Sequence, residues 1–212
     1  MAARWPGVVW AALVLAALGA FWLWYGGHGP PLTPEEGRLL LARAQALQGQ
    51  AGLPLRSDDR IARLQALIDT DDGGEFWMVN LETRRHDPAA DRADAAYAAV
   101  VIPQLLKRGS FPVYVGRVAG PVLGEARGVN RVAIVRYRSL RDFLAMNVDP
   151  AFVRGVGDKF AALEDTDVLM TRPVVSALHV RLTAVTPAAL ALIAGLAILG
   201  RRARKAQAAG PG

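Results

Sequence analysis

Two long apolar runs bracket a central stretch in which short segments of alternating and helical period follow one another. Trp5–Tyr25 (WPGVVWAALVLAALGAFWLWY) holds no charged residue in 21 positions. As a helix rising about 1.5 Å per residue it reaches roughly 31 Å, the thickness of a bilayer core. Trp5 sits at one end and Trp22, Trp24 and Tyr25 at the other, where aromatic belts fall. The alternative is a cleaved signal peptide with Arg4 as its n-region and a cleavage site near Ala20. The apolar run continues past Ala20 as FWLWY, which favours a retained anchor. Leu182–Gly200 (LTAVTPAALALIAGLAILG) is the second uncharged run, with Pro187 near its start, where a helix tolerates proline best. RRARK follows at once. Under the positive-inside rule that cluster and Arg4 stay cytoplasmic, so the chain between the spans lies on the far side, the periplasm of a bacterium.

Gly26–Leu32 (GGHGPPL) reads as a linker. Thr33, Pro34 and Glu36 then predict an N-cap, a first helical residue and a capping box, opening a helix to about Gln48. Ser57-Asp58-Asp59 caps a second helix to about Asp69, with Ile61, Leu64, Leu67 and Ile68 on one face. After the turn DTDDGG the period changes. Strands are predicted over Phe76–Thr83, Phe111–Val118, Asn130–Arg138 and Thr166–Arg172. Between them come a helix over Asp91–Lys107, kinked or divided at Pro103, and a helical region. That region starts at the cap Ser139 and restarts at Asp149-Pro150, running to about Leu163. Strand, helix, two strands, helix and strand is the split βαβ order, so the fold class is α+β, a ferredoxin-like βαββαβ domain with a four-stranded antiparallel sheet. The organisation is therefore a cytoplasmic N-terminus (1–4), a span (5–25), a linker with two helices (26–71), the α+β domain (72–175), a second span (182–200) and a basic cytoplasmic tail (201–212).

Composition narrows the chemistry. The chain has no cysteine, which excludes disulfides, thiolate nucleophiles and Cys-ligated metals. Three scattered histidines (His28, His86, His179) give no metal site, and no cofactor is expected. The net charge of +6 invites a nucleic-acid partner, but five of the 25 basic residues (Arg4, Arg201, Arg202, Arg204, Lys205) lie at the termini. The rest nearly balance all 19 acidic ones, and a nucleic-acid surface needs a clustered basic face, so none is expected.

Asp72–Val174 resembles the dimeric α/β-barrel superfamily of ferredoxin-like domains. It looks most like an uncharacterised family within it, related in fold to NIPSNAP and to antibiotic-biosynthesis monooxygenase-type domains. The residues that carry the resemblance are the strand Met78-Val79-Asn80-Leu81, the helix AAYAAVVIPQLLKRG, the junction VRYRSLRDFLAM, the helix start Asp149-Pro150-Ala151-Phe152 and the ending DTDVLMTRPV. The resemblance implies a homodimer in which two sheets pack face to face into a barrel.

In the first strand Trp77, Val79 and Leu81 alternate with Met78, Asn80 and Glu82. The apolar set suits the helices, which assigns Asn80, Glu82 and Arg84 to a cavity enclosed by the second copy. Asn80, Arg84, Arg117 and Arg136 are the candidate ligand-binding residues, suited to an anionic or carbonyl-bearing small molecule. Only one of Arg136 and Tyr137 can share that face, because neighbours alternate. Against this stands an internal Glu–Arg network with surface arginines. His86 and Glu82 are the candidate catalytic groups, a neutral imidazole beside Asp87 being able to act as a base. Asp87-Pro88 is equally ordinary turn chemistry, which makes the same stretch a polar turn. There is no G-x-S-x-G, H-E-x-x-H or phosphate-binding glycine loop. Three roles follow: a membrane-anchored, dimeric binding or structural module, a cofactor-independent oxygenase or isomerase using the barrel cavity, or an accessory subunit of a membrane complex. For the last, Ala184, Ala188, Ala191 and Gly195 give the second span a small-residue face for a membrane-protein partner.

Overall fold

The structure is a computed structural model that describes residues 5–26, 29–53, 58–124 and 128–208. In chain order its elements are α1 (Trp5–Tyr25), α2 (Pro34–Gln50), α3 (Asp58–Asp69), β1 (Phe76–Arg84), α4 (Pro88–Leu106), β2 (Phe111–Arg117), β3 (Arg131–Tyr137), α5 (Leu140–Asn147), α6 (Pro150–Ala162), β4 (Leu163–Thr171) and α7 (Ala177–Ala208). They divide into two units, Leu23–Arg172 and a second made of Met1–Trp22 with Pro173–Gly212.

The second unit is helical. Trp10, Leu13 and Leu15 of α1 and Val185, Leu192 and Leu196 of α7 are exposed. Among the described residues no helix is long and apolar enough to cross a membrane. The side chains at 5–8, 11 and 177–184 lie outside those described. Both segments expected to span a bilayer are thus helices whose spanning role the described residues do not show.

The unit Leu23–Arg172 is an α+β layer whose helices start where the sequence provides caps. Thr33 Oγ1 accepts from the Glu36 amide at 3.2 Å while Glu36 Oε2 accepts from the Thr33 amide at 3.1 Å, completing the capping box. Ser139 and Asp149 cap α5 and α6 more simply, each side chain accepting from one amide, that of Asp142 and of Ala151. The cap expected at Ser57 lies outside the described residues. α4 begins at Pro88 instead of Asp91. Asp87 Oδ1 accepts from the Ala89 and Ala90 amides at 2.8 and 2.9 Å, so Asp87-Pro88 is an N-cap with proline at the first helical position. The helix also runs undivided through Pro103, which falls in its last turn, where a missing N–H removes a single bond from a helix about to end.

All strand pairs are antiparallel, in the order β2-β3-β1-β4. Residues directly opposite in an antiparallel ladder share a face, so the register separates two surfaces. One carries Phe76 beside Tyr137, Met78 between Val135 and Met170, Asn80 between Ala133 and Val168, and Glu82 between Arg131 and Thr166. Helices cover this face. Phe76, Tyr137 and Phe143 of α5 form an aromatic triad with centroids 5.1–6.0 Å apart, joined by Leu105 of α4 and Phe152 and Val156 of α6. α4 and α6 approach closely at Gly155, where a Cβ would stand 3.0 Å from Val100 Cγ1.

The opposite face carries Val79, Ile134 and Leu169 in one row, with Tyr114 beyond Ile134, and Leu81 and Val132 in the next. The sequence assignment of faces is therefore reversed. The polar set Asn80 and Glu82 lies under the helices, and the apolar set lies on the open side, with Leu169 and Tyr114 53% and 54% exposed. The reason is that the helices bring charged partners for the polar set, as described next. At one end of the open face Trp24 and Tyr25, the last residues of α1, stack near Phe111.

Candidate functional site

Beneath α4 and α6, Glu82 is 4% exposed and ion-paired to Arg131 Nε at 2.5 Å. Arg131 Nη1 and Nη2 clamp Asp94 of α4 at 2.7 and 2.9 Å. Arg84 Nη2 reaches Asp91 at 3.0 Å and Asp94 at 3.3 Å. Lys159 of α6 donates to Asn80 Oδ1 at 3.3 Å, and Asn80 Nδ2 donates to the Ala133 carbonyl at 3.1 Å. Arg84, Arg131 and Lys159 thus face Glu82, Asp91 and Asp94, which lets a polar patch lie under the helices. Burial pushes the Asp94 carboxyl up, but the Arg131 hydrogen bonds and charge, with the charge of Arg84, outweigh it and hold the group below its ordinary value. Burial pulls the Lys159 ammonium down, Glu82 opposing, and pushes the Tyr97 phenol up, helped by the charges of Glu82 and Asp94.

This network opens at the end of the sheet into a half-open cavity of about 550 Å³. Its lining includes Arg84, Arg85, Arg117 and Arg131, with His86 and Asn130, against a single carboxylate, Asp91. Local backbone fixes it. The β1–β4 register shifts at Thr83/Arg84, a bulge that re-aims the side chains after it. Asn130 then grips the chain: its Oδ1 accepts from the Arg84 amide at 2.8 Å and its Nδ2 donates to the Arg84 carbonyl at 2.9 Å. On the other side the Arg85 amide donates to the Ala162 carbonyl and its Nε to the Leu163 carbonyl, both at 3.1 Å. Asn130 Nδ2 also lies 3.0 Å from His86 Nε2. The two bonds to Arg84 fix that nitrogen as the amide donor, so His86 Nε2 is the acceptor and its proton sits on Nδ1.

Of the residues expected to bind a ligand, Arg84 and Arg117 line this cavity. Asn80 lies under the helices beside Lys159. Arg136 is on the opposite face and 1% exposed. Its Nη1 donates to the Gly109 carbonyl at 2.9 Å, its Nη2 to the Tyr25 carbonyl at 2.7 Å and its Nε to Glu75 at 2.7 Å, and its guanidinium lies 4.0 Å from the Tyr25 ring centroid. Of the candidate catalytic groups, His86 lines the cavity and Glu82 is held by Arg131. Asp87, sequence neighbour of His86, is engaged at the start of α4. Sequence reasoning missed Arg85, Asn130, Arg131, Asp94 and Lys159. The strand NRVAIVRYR held a signal for two of them, since pairing Glu82 with Arg131 sets Asn130 against the end of β1. Among the described residues no group of three His, Asp or Glu side chains could hold a metal ion.

The fold and site define an α+β protein with a helix-backed, four-stranded antiparallel sheet and an arginine-lined cavity at its end. No protein-family model matches the chain, and no curated protein does. Among solved structures it is similar to the RPA0582 protein of unknown function from Rhodopseudomonas palustris. That match has 25% identity over 57% of this chain and 96% of that one, with a TM-score of 0.49. The methylated RPA0582 protein matches at 24% identity, 57% and 95% coverage and TM-score 0.49. Hydroxynitrile lyase from Passiflora edulis matches at 17% identity, 49% and 97% coverage and TM-score 0.38. Likenesses of this size leave the function to the residues of the chain itself.

Proposed function

We propose that the chain is a membrane-tethered, ferredoxin-like module of the dimeric α/β-barrel kind, held outside the cytoplasm by α1 and α7, which pairs with a second copy through the open faces of the two sheets. The observation that carries this reading is the open face. Val79, Leu81, Val132, Ile134 and Leu169 form contiguous apolar rows on a sheet whose other face is already covered. A contiguous apolar patch on a sheet is a surface awaiting a partner. A second copy is the occupant favoured, because two identical rows meeting across a two-fold axis cover each other fully. The strand order and the placement of helices on one face support the fold. The uncharged length of α1 and the RRARK cluster in α7 support the tether.

The same face favours a binding or structural module over an enzyme working between the sheets. Its central positions, Val79, Leu81, Val132 and Ile134, are aliphatic, and the polar groups beside them, Tyr114 and Asp167, stand on the outer strands β2 and β4. The test is native mass spectrometry of the full chain released from detergent micelles. The expected result is a dimer for the wild type and a monomer for Ile134→Glu combined with Leu169→Arg. A wild-type monomer, or a dimer that survives both charges, would refute the pairing. A stoichiometric second polypeptide in place of the second copy would favour the accessory-subunit role.

A further inference from the structure

The arginine-lined cavity lies on the helix-covered side of the sheet, away from the face proposed to dimerise. Within it the charges fall into two groups. Arg84 and Arg131 are committed to Asp91, Asp94 and Glu82. Arg85 and Arg117 form no ion pair among the described residues, and both are exposed. The Arg85 Nε is held by a backbone carbonyl, which leaves its two terminal amino groups for another acceptor. His86 contributes a third donor, because the Asn130 contact places its proton on Nδ1. Arg84 Nε is a buried donor with no hydrogen-bond partner. Donors therefore outnumber acceptors at the mouth of a cavity whose backbone is pinned from both sides.

We infer that this cavity is a binding site for a small organic dianion, a phosphate monoester or a dicarboxylate. Guanidinium forks pair bidentately with either group, and about 550 Å³ is room for a metabolite-sized molecule but not for a peptide. Arg85 and Arg117 supply the charge, which the balanced network behind them does not cancel. Asn130 and the bulge hold Arg84–His86 in place before the ligand arrives, so little ordering is lost on binding. Asp91 is the one carboxylate in the lining, and Arg84 neutralises it at 3.0 Å.

The test is calorimetric titration of the full chain in a zwitterionic detergent, with inorganic phosphate and succinate as separate probes at constant ionic strength. Saturable binding of at least one is expected. Phosphate alone would define the class as phosphate esters, and succinate alone as dicarboxylates. Arg117→Ala should weaken binding about tenfold, as loss of a charge-assisted contact does. Arg117→Lys, which keeps the charge but not the fork, should recover only part of it. The double variant Arg85→Ala/Arg117→Ala should abolish the heat, with circular dichroism confirming that it folds. The dimer-face variant Ile134→Glu should bind as the wild type does, which separates this site from the pairing proposed above. No saturation with either probe, or equal titration of the double variant, would overturn the inference.

Discussion

At the scale of the residue, Arg136 shows how an arginine is kept inside an α+β domain. Each nitrogen of its fork meets a fixed acceptor: Tyr25 at the end of α1, Gly109 in the turn before β2 and Glu75 before β1. Gly109 has φ +64°, and a Cβ there would come within 2.0 Å of the Trp24 carbonyl oxygen, so glycine lets this turn lie against the end of α1. Trp24 Nε1 closes the contact by donating to the Leu106 carbonyl at 2.7 Å. Replacing Arg136 by methionine fills similar space but removes the ion pair to Glu75 and the donors to two carbonyls. Removing one partner of a buried pair costs about 3–5 kcal/mol. Arg136→Met is therefore expected to lose stability of that order in urea unfolding followed by tryptophan fluorescence, and a loss under about 1 kcal/mol would contradict the clamp. None of this was legible in the sequence, where Arg136 reads as a strand arginine free to meet a ligand. Two of its acceptors are backbone carbonyls 27 and 111 residues away, and a carbonyl has no sequence signature.

At the scale of elements, the starts of α2, α5 and α6 were legible, that of α4 was placed three residues late, and the sheet faces were not legible. A cap is a local event: Thr33, Ser139 and Asp149 each bond an amide two or three residues on, so the letters suffice. Which face of β1 turns inward depends on Arg131, Asp94 and Lys159, which come from β3, α4 and α6. Alternation alone sends Val79 and Leu81 inside, and the distant charges reverse it. The α2–α5 junction gives an element-scale prediction. Arg141 of α5 donates to both Glu36 carboxylate oxygens, at 3.3 and 3.1 Å. The Arg141 hydrogen bond, then the Thr33 amide and hydroxyl, lower the Glu36 pKa from 4.5 to about 2. A carboxylate whose folded pKa is depressed contributes fully above its unfolded value, and that contribution fades as pH falls through the folded one. The α2–α5 tether should therefore hold above pH 4.5 and release towards pH about 2. NMR titration of the Glu36 carboxyl would check this. In Arg141→Ala the midpoint should rise towards the ordinary carboxylate range, and an unchanged midpoint would show that the capping box alone sets it.

At the scale of the whole molecule, the sequence speaks through charge rather than contact. α1 holds no charge over its 21 residues, and α7 gathers RRARK near its end. An arginine or lysine at a bilayer centre costs about 2.5–3.5 kcal/mol, so under the tether proposed above a cluster of four directly after an apolar run would stop translocation there and stay on the cytoplasmic side. With Arg4 agreeing, that proposal puts both ends in the cytoplasm and the chain between them outside it. Reporter fusions at Gly27 and after Lys205 measure this directly in a Gram-negative host. A phosphatase that is active only in the periplasm should work at Gly27 and fail after Lys205, and a fluorescent protein that folds only in the cytoplasm should do the reverse. Changing Arg201, Arg202, Arg204 and Lys205 to glutamine should let part of the C-terminal phosphatase become active, because on the proposed topology this charge is what orients α7. Phosphatase activity after Lys205 in the unaltered chain would invert the orientation, and activity at neither position would remove the tether. The orientation also fixes which dianions could reach the arginine cavity. A chain facing the periplasm meets what crosses the outer membrane, whereas an inverted one meets the phosphorylated intermediates of the cytoplasm. The fusion experiment therefore decides which compartment's anions to titrate after phosphate and succinate.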